Sequence, residues 1–195
     1  GVASDMESAR RFLASPRSGC FYRYEYDFID NPSRSELAVI IENVISEYQI
    51  IFFAGHGYTD SQTGKRMICL RDTSVPDAFL INKSRIQLIN IDACRSPMRG
   101  IAGIPEYGEL YVGLDGFSAR TMFDDYISKA KSGKLIIHST QRNTEAWELT
   151  GGGGGVFTQS LIRVASTIKI IGEKYSHVQI DALLPHVKKD MERCG

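Results

Sequence analysis

The chain lacks charge of either sign in excess: Lys plus Arg is 23 and Asp plus Glu is 23, giving a formal net charge of zero. That balance removes the electrostatic case for nucleic acid or an anionic membrane as the main partner. Long apolar runs are missing too. IIFFA, IQLINI and KLIIH fall far short of the roughly 20 residues a membrane-spanning helix needs. The four cysteines, Cys20, Cys69, Cys94 and Cys194, are scattered with no Cys-x-x-Cys spacing, so no zinc cage is encoded. Free thiols in a reducing, cytoplasmic compartment are the expectation. Gly151 to Gly155 is followed by no Gly-Lys-Ser/Thr and preceded by no strand, which excludes a phosphate loop. Gly116-Phe117-Ser118 has no glycine two residues after the serine, which excludes a nucleophile elbow.

What is present is ordinary globular composition over 195 residues, with 43% hydrophobic and 24% charged side chains. This is enough chain for one domain with a sizeable core. Ser4 with Glu7 predicts a capping box and a helix over 5–14. FYRYEYDF (21–28) alternates aromatic and polar residues and predicts an exposed or edge strand. A second capping box, Ser33 with Glu36, precedes Leu37, Ile40, Ile41, Val44 and Ile45 at helical spacing. QIIFFAGH (49–56), IQLINIDA (86–93) and KLIIHST (134–140) read as buried strands, with MICL (67–70) as a minor one. Residues 97–116 read as a long loop and 119–130 as a helix. Either Gly155 or Thr158 starts the helix carrying Leu161, Val164 and Ala165, and Asp181 caps a last one.

Strands alternating with helices predict an α/β chain, a three-layer α/β/α sandwich around a mainly parallel sheet. Residue 1 stands just before a helix with no strand ahead of it. The expectation is therefore a single domain over 1–195 that is a piece of a longer polypeptide lacking its first strand, with 97–131 as a regulatory or active-site insertion.

In an open parallel sheet, reactive groups collect beyond the carboxyl ends of the strands. His56 follows IIFFAG and Cys94 follows INIDA. A Cys and a His from neighbouring strand ends can form a nucleophile–base pair, the thiolate attacking a carbonyl and the imidazole protonating the departing amine. Gly57, without a side chain, lets its N–H approach a developing oxyanion. Each residue alone is a weak signal, since a buried cysteine is usually a small hydrophobe; together they point to thiol chemistry.

IIFFAGHG followed by INIDACRS resembles the caspase-like cysteine peptidases, and is more similar to metacaspases and their bacterial relatives than to animal caspases. Gly1 to Asp5 resembles the family's Gly-x-x-x-Asp; Ser139, Ala146 and Glu148 resemble its small-residue and Ala-x-Glu segment; Gly155-Val156-Phe157-Thr158 resembles its Gly-x-Phe-Thr. The likeness spans most of the chain except 97–131. It implies a Cys94–His56 dyad with the Gly57 and Cys94 N–H groups as oxyanion hole. Animal caspases carry Gln two residues before the nucleophile, with the His about 50 residues upstream. Here that place holds Asp92 and the His lies nearer. A carboxylate beside the sulfur repels acidic side chains and attracts Arg or Lys. Asp5 and Asp72 match places that add acidity to the same pocket in metacaspases, although helix-turn and loop roles compete for them. Where many metacaspases bind calcium with two acids this chain has Arg71-Asp72, so the resemblance implies no cofactor and makes calcium doubtful.

The sequence thus predicts an endopeptidase cutting after Arg or Lys through a thioester. Its substrate is a protein or peptide, and the first strand is supplied either by a complementary fragment or by a stretch trimmed from the sequence. Self-processing is expected after Arg99, Arg120 or Lys131. Two readings compete: an inactive caspase-like scaffold, and a hydrolase of some non-peptide acyl or amide group.

Overall fold

A computed structural model describes residues 1–94, 116–140, 146–167 and 180–194. In chain order these form α1 (Val2–Leu13), α2 (Arg34–Asn43), β1 (Tyr48–Thr59), β2 (Arg66–Cys69), β3 (Ser74–Pro76), β4 (Ile86–Cys94), α3 (Gly116–Lys129), β5 (Gly133–His138), α4 (Val156–Thr167) and α5 (Ile180–Glu192). The chain divides into two compact units. One comprises Tyr24–Pro97 and Phe123–Ala146, the other Gly1–Arg23, Met98–Met122 and Trp147–Gly195.

The first unit holds a five-stranded sheet of order β3-β2-β1-β4-β5. β1, β4 and β5 run parallel, while β2 and β3 form an antiparallel hairpin. The sheet is therefore mixed, an α/β architecture with its parallel part in the middle and at one edge. Ile89 and Ile91 of β4 lie in a buried cluster with Leu37 of α2, Ile68, Val75 and Leu80, against which Ile51, Phe53 and Ile136 also pack. The residues of β1, β4 and β5 among these share one pleated face, and that face packs against α2 in a cluster that Ile68 and Val75 of the hairpin join. The next residues along, Asn90 and Asp92, belong to the other face.

α2 starts where the sequence predicts, because its capping box is complete. Ser33 Oγ accepts from the Glu36 N–H at 3.3 Å, and the Glu36 carboxylate accepts from the Ser33 N–H at 2.7 Å. It ends two residues earlier than the apolar spacing suggests. Val44 is already extended and Ile45 is 94% exposed. β1 runs three residues further than expected, because after His56 it gains a new partner. Tyr48–His56 pair with β4, whereas Gly57–Thr59 pair with β2. Among the described residues, Tyr48–His56 have no strand on the side away from β4. The 21–28 segment forms no strand. It contains a 3-10 turn at Arg23–Glu25, and Tyr26 packs edge-to-face on Phe28 at 5.7 Å. Alternation alone cannot make a strand without a ladder partner.

In the second unit α4 packs on both α1 and α5. Ala9 and Leu13 of α1, Phe157, Leu161 and Val164 of α4, and Leu183 and Val187 of α5 are buried. Arg163 of α4 is paired with Asp190 of α5, its Nε donating at 3.0 Å. The Ser4–Glu7 capping box does not form. α1 begins before Ser4, whose hydroxyl donates to the Gly153 carbonyl at 3.1 Å, and Glu7 is held instead by Arg10 and Arg11. Those guanidinium groups keep the Glu7 carboxyl down at about 2. Asp181 lies inside the first turn of α5 rather than before it, its carboxylate accepting from the Ala182 N–H.

Candidate active site

The site begins with register. β1 and β4 share nine consecutive pairs, from Tyr48 opposite Ile86 to His56 opposite Cys94. A parallel ladder carries both chains the same way, so the last residue of β4 and the imidazole-bearing residue of β1 arrive at one rung. His56 is solvent-exposed there and Gly57, the next residue, is buried.

Gly57 is where β1 changes partner, and its missing side chain explains how. A Cβ at this position would stand 2.6 Å from the Met67 carbonyl oxygen and 2.9 Å from the Ala93 Cβ. Contacts that short force backbone to move, so glycine is what lets β2 cross beside the end of the parallel ladder. The sequence reading ends the strand at His56; it continues, because the glycine permits a close strand crossing.

Asp92 sits opposite Ala54, one pleat back from the Cys94–His56 rung, and is 4% exposed. Because alternate residues share a face, Asp92, Ala54 and His56 lie on the face away from α2. His138 is on the other face, opposite Ile91. Its Nε2 lies 3.1 Å from Asp77 Oδ2, with both side chains 19% exposed. No local pattern signals this imidazole–carboxylate contact, which joins residues far apart in the chain.

The other sequence-predicted residues have local settings of their own. Asp72 is exposed in the β2–β3 turn, and its Oδ1 accepts from the Arg34 N–H at the start of α2, 2.9 Å away. Beside it, Arg71 reaches Glu36 at 2.7 Å. Asp5, in the second unit, is 5% exposed and accepts from the Gly155 N–H at 2.9 and 3.1 Å and from Gln159 Nε2 at 2.9 Å. Its carboxylate thus meets the buried Gly155 amide just before α4 and the Gln159 side chain in the first turn of α4. Gly154, at φ +94°, passes so near that a Cβ would lie 2.3 Å from Asp5 Oδ1. Arg120 lies within α3, its guanidinium over the rings of Phe21 and Tyr22 at 5.7 and 5.4 Å. Lys131 is exposed in the turn between α3 and β5, and Arg99 falls outside the described residues. Trp147 is 47% exposed. Among the described residues no cluster of three or more His, Cys, Asp or Glu side chains is placed to hold a metal ion, and no helix is long and apolar enough to cross a membrane.

The caspase-domain family model matches residues 1–195. Among solved structures, the crystal structure of caspase-1 from Spodoptera frugiperda is similar in fold, with a TM-score of 0.55 at 15% identity over 97% of this chain and 68% of that one. Comparison with curated protein sequences gives no match. A cysteine peptidase of this kind works with a thiolate and an imidazole and asks for no cofactor. With an α/β fold like that of a caspase and a family match over its whole length, the chain belongs to the caspase-domain family of cysteine peptidases.

Proposed function

We propose that the protein is an endopeptidase that cuts after Arg or Lys, with Cys94 as nucleophile and His56 as its proton-transfer partner. The observation that carries this reading is the shared rung of His56 and Cys94. The Cys94 thiolate attacks the carbonyl carbon of the scissile bond, and the developing oxyanion takes hydrogen bonds from the Gly57 and Cys94 N–H groups. As the tetrahedral species collapses, the C–N bond breaks and His56 gives its proton to the departing amine. A water deprotonated by His56 then hydrolyses the thioester and frees the thiolate.

Asp92 supplies the preference. A carboxylate one pleat from the nucleophile attracts a basic side chain before the scissile bond and repels an acidic one. Asp5 serves Gly155 and Asp72 serves α2, so Asp92 carries the selectivity in this proposal. That acid in place of glutamine makes the chain metacaspase-like. For self-processing, Lys131 is favoured over Arg120, since an exposed turn can extend into a protease cleft and a helical residue cannot without unwinding. A cytoplasmic setting keeps the nucleophile reduced; Cys69 and Cys194 are free thiols as well.

Peptides releasing a fluorophore after Arg, Lys or Asp test the reading. Hydrolysis of the basic peptides, stopped by iodoacetamide, is the expected result. Cleavage of the Asp peptide alone would overturn the pocket assignment. Mass spectrometry beside a Cys94→Ala form tests self-processing. An intact chain in both, while basic peptides are being cut, would end that part.

A second reading draws on the unpaired flank of β1. Over Tyr48–His56 that flank has open backbone donors and acceptors among the described residues, which suits a strand added from another segment or polypeptide. If no peptide is cut even when such a segment is supplied, an inactive caspase-like scaffold is the better account.

A further inference from the structure

Asn90 has no place in the dyad mechanism, yet it is 3% exposed and neither its amide nitrogen nor its amide oxygen has a hydrogen-bond partner among the described residues. A buried amide left this way destabilises the fold, and such groups are rare. β4 shows the contrast within one strand. Gln87, 1% exposed, donates to the Leu80 carbonyl at 2.7 Å and to Gln49 Oε1 at 2.9 Å, and accepts from the Asn82 N–H at 3.2 Å. One buried amide of the strand has partners at both its nitrogen and its oxygen, and the other has them at neither.

The open one is next to the acid. Asn90 and Asp92 share a face of the pleat, about 6.7 Å apart along the strand. Phe52 on β1 and Ile137 on β5 are the register partners of Asn90, so its flanks in the sheet are apolar. An amide between apolar neighbours, one step behind a buried carboxylate, suits the far end of a long basic side chain whose methylenes need apolar contact and whose tip needs acceptors.

We propose that Asn90 is a substrate-binding residue that selects arginine over lysine, its Oδ1 accepting an N–H from the edge of a guanidinium that Asp92 does not hold. The proposal rests on Asp92 receiving the basic side chain. A guanidinium carries five N–H donors in a planar fork, and one carboxylate can take two of them. The remainder lose water on burial and need another acceptor. A lysine ammonium is a compact point charge that Asp92 satisfies without Asn90.

Asn90→Leu in the full chain keeps the branched shape and heavy-atom count and removes both amide atoms; Asn90→Ser is the second variant should the first fold poorly. In matched peptides, kcat/KM for the Arg substrate should fall about tenfold, the scale of one charge-assisted hydrogen bond, with the Lys substrate nearly unaffected. The melting temperature of Asn90→Leu should hold or rise. Equal losses for both substrates, or a falling melting temperature with an unchanged Arg-to-Lys ratio, would overturn the proposal in favour of a purely structural amide. Calorimetric titration of the Cys94→Ala protein with butylguanidine and pentylamine separates this idea from the peptidase reading. If no basic peptide is cut but butylguanidine binds more tightly than pentylamine in an Asn90-dependent way, the peptidase reading fails and the Asn90 assignment stands. If butylguanidine binds equally well without Asn90, or not at all, the Asn90 assignment fails.

Discussion

His56 and Cys94 are backbone partners at the last rung that β1 and β4 share. On the proposed mechanism, Cys94→Ala abolishes turnover and leaves the melting temperature nearly unchanged. His56→Ala lowers kcat/KM by about a thousandfold or more, the upper range for loss of a general acid–base. Peptide hydrolysis and thermal melts on the same samples check both.

Asp92→Asn keeps the shape and removes the charge. Selectivity for Arg over a neutral residue should fall by about 2–3 kcal/mol, the scale of a hydrogen bond to a charged group. The measurement is the ratio of kcat/KM for Arg and Gln peptides, and an unchanged ratio would move the basic preference to another residue.

The crowding around Gly57 makes a sharper claim. In Gly57→Ala the new Cβ meets the Met67 oxygen and the Ala93 Cβ inside normal contact distance, so β2 must shift. Overpacking of this kind costs about 1–3 kcal/mol. Urea melts should show that loss, and kcat should drop with it because the β1–β2 pairing at Gly57 adjoins His56 and, on the proposed mechanism, an oxyanion N–H. Gly64→Ala, at φ +66° with open space around it, is the control that costs stability without reaching the site.

These residues also separate what sequence makes legible from what it hides. IQLINIDA is readable because a strand buried on both faces is apolar along most of its length, QIIFFAGH because the same kind of apolar run marks its half-buried neighbour, and Ser33-x-x-Glu36 because a capping box is local. The partner change of β1 at Gly57 was not readable, since it depends on Met67 and Ala93, brought there by pairing. FYRYEYDF had the periodicity of a strand but no ladder to join. Ser4-x-x-Glu7 had the letters of a capping box, but its hydroxyl found Gly153. For the site, the strand-end logic points to Cys94 and His56, and the structure shows that their backbone positions share a rung. Asp5 and Asp72 carried only a charge in the sequence, and their partners at Gly155 and Arg34 are long-range contacts.

Acid should act on α2 in a predictable way. The Glu36 carboxyl is lowered from 4.5 to about 2, first by the Ser33 backbone N–H and then by the Arg71 guanidinium. A lowered carboxyl favours the folded state while ionised, so this contribution is present above pH about 4.5 and is lost as pH falls towards 2. Glu36→Gln should flatten that limb of a stability–pH curve from urea melts. Glu7 titrates in the same window, so the difference from wild type is the readout.

At the alkaline end Tyr48 takes over. Burial pushes its phenol from 10.0 up to about 12, and its ring packs edge-to-face on Phe123 at 5.5 Å. A raised phenol stabilises the fold while neutral, so its contribution is complete below pH 10 and disappears as pH climbs to 12. Tyr48→Phe should remove a loss on the order of 2–3 kcal/mol across that interval, followed by fluorescence-detected unfolding.

Each compact unit is stitched from pieces that are distant in the chain: α1 joins α4 through Asp5 and Gly155, and β5 closes onto β4. A nick at Lys131 would therefore leave both products interleaved. The cut protein should migrate as a single particle in gel filtration and as two bands only after denaturation, so cleavage in this topology is a covalent mark that the folded body retains without dissociating.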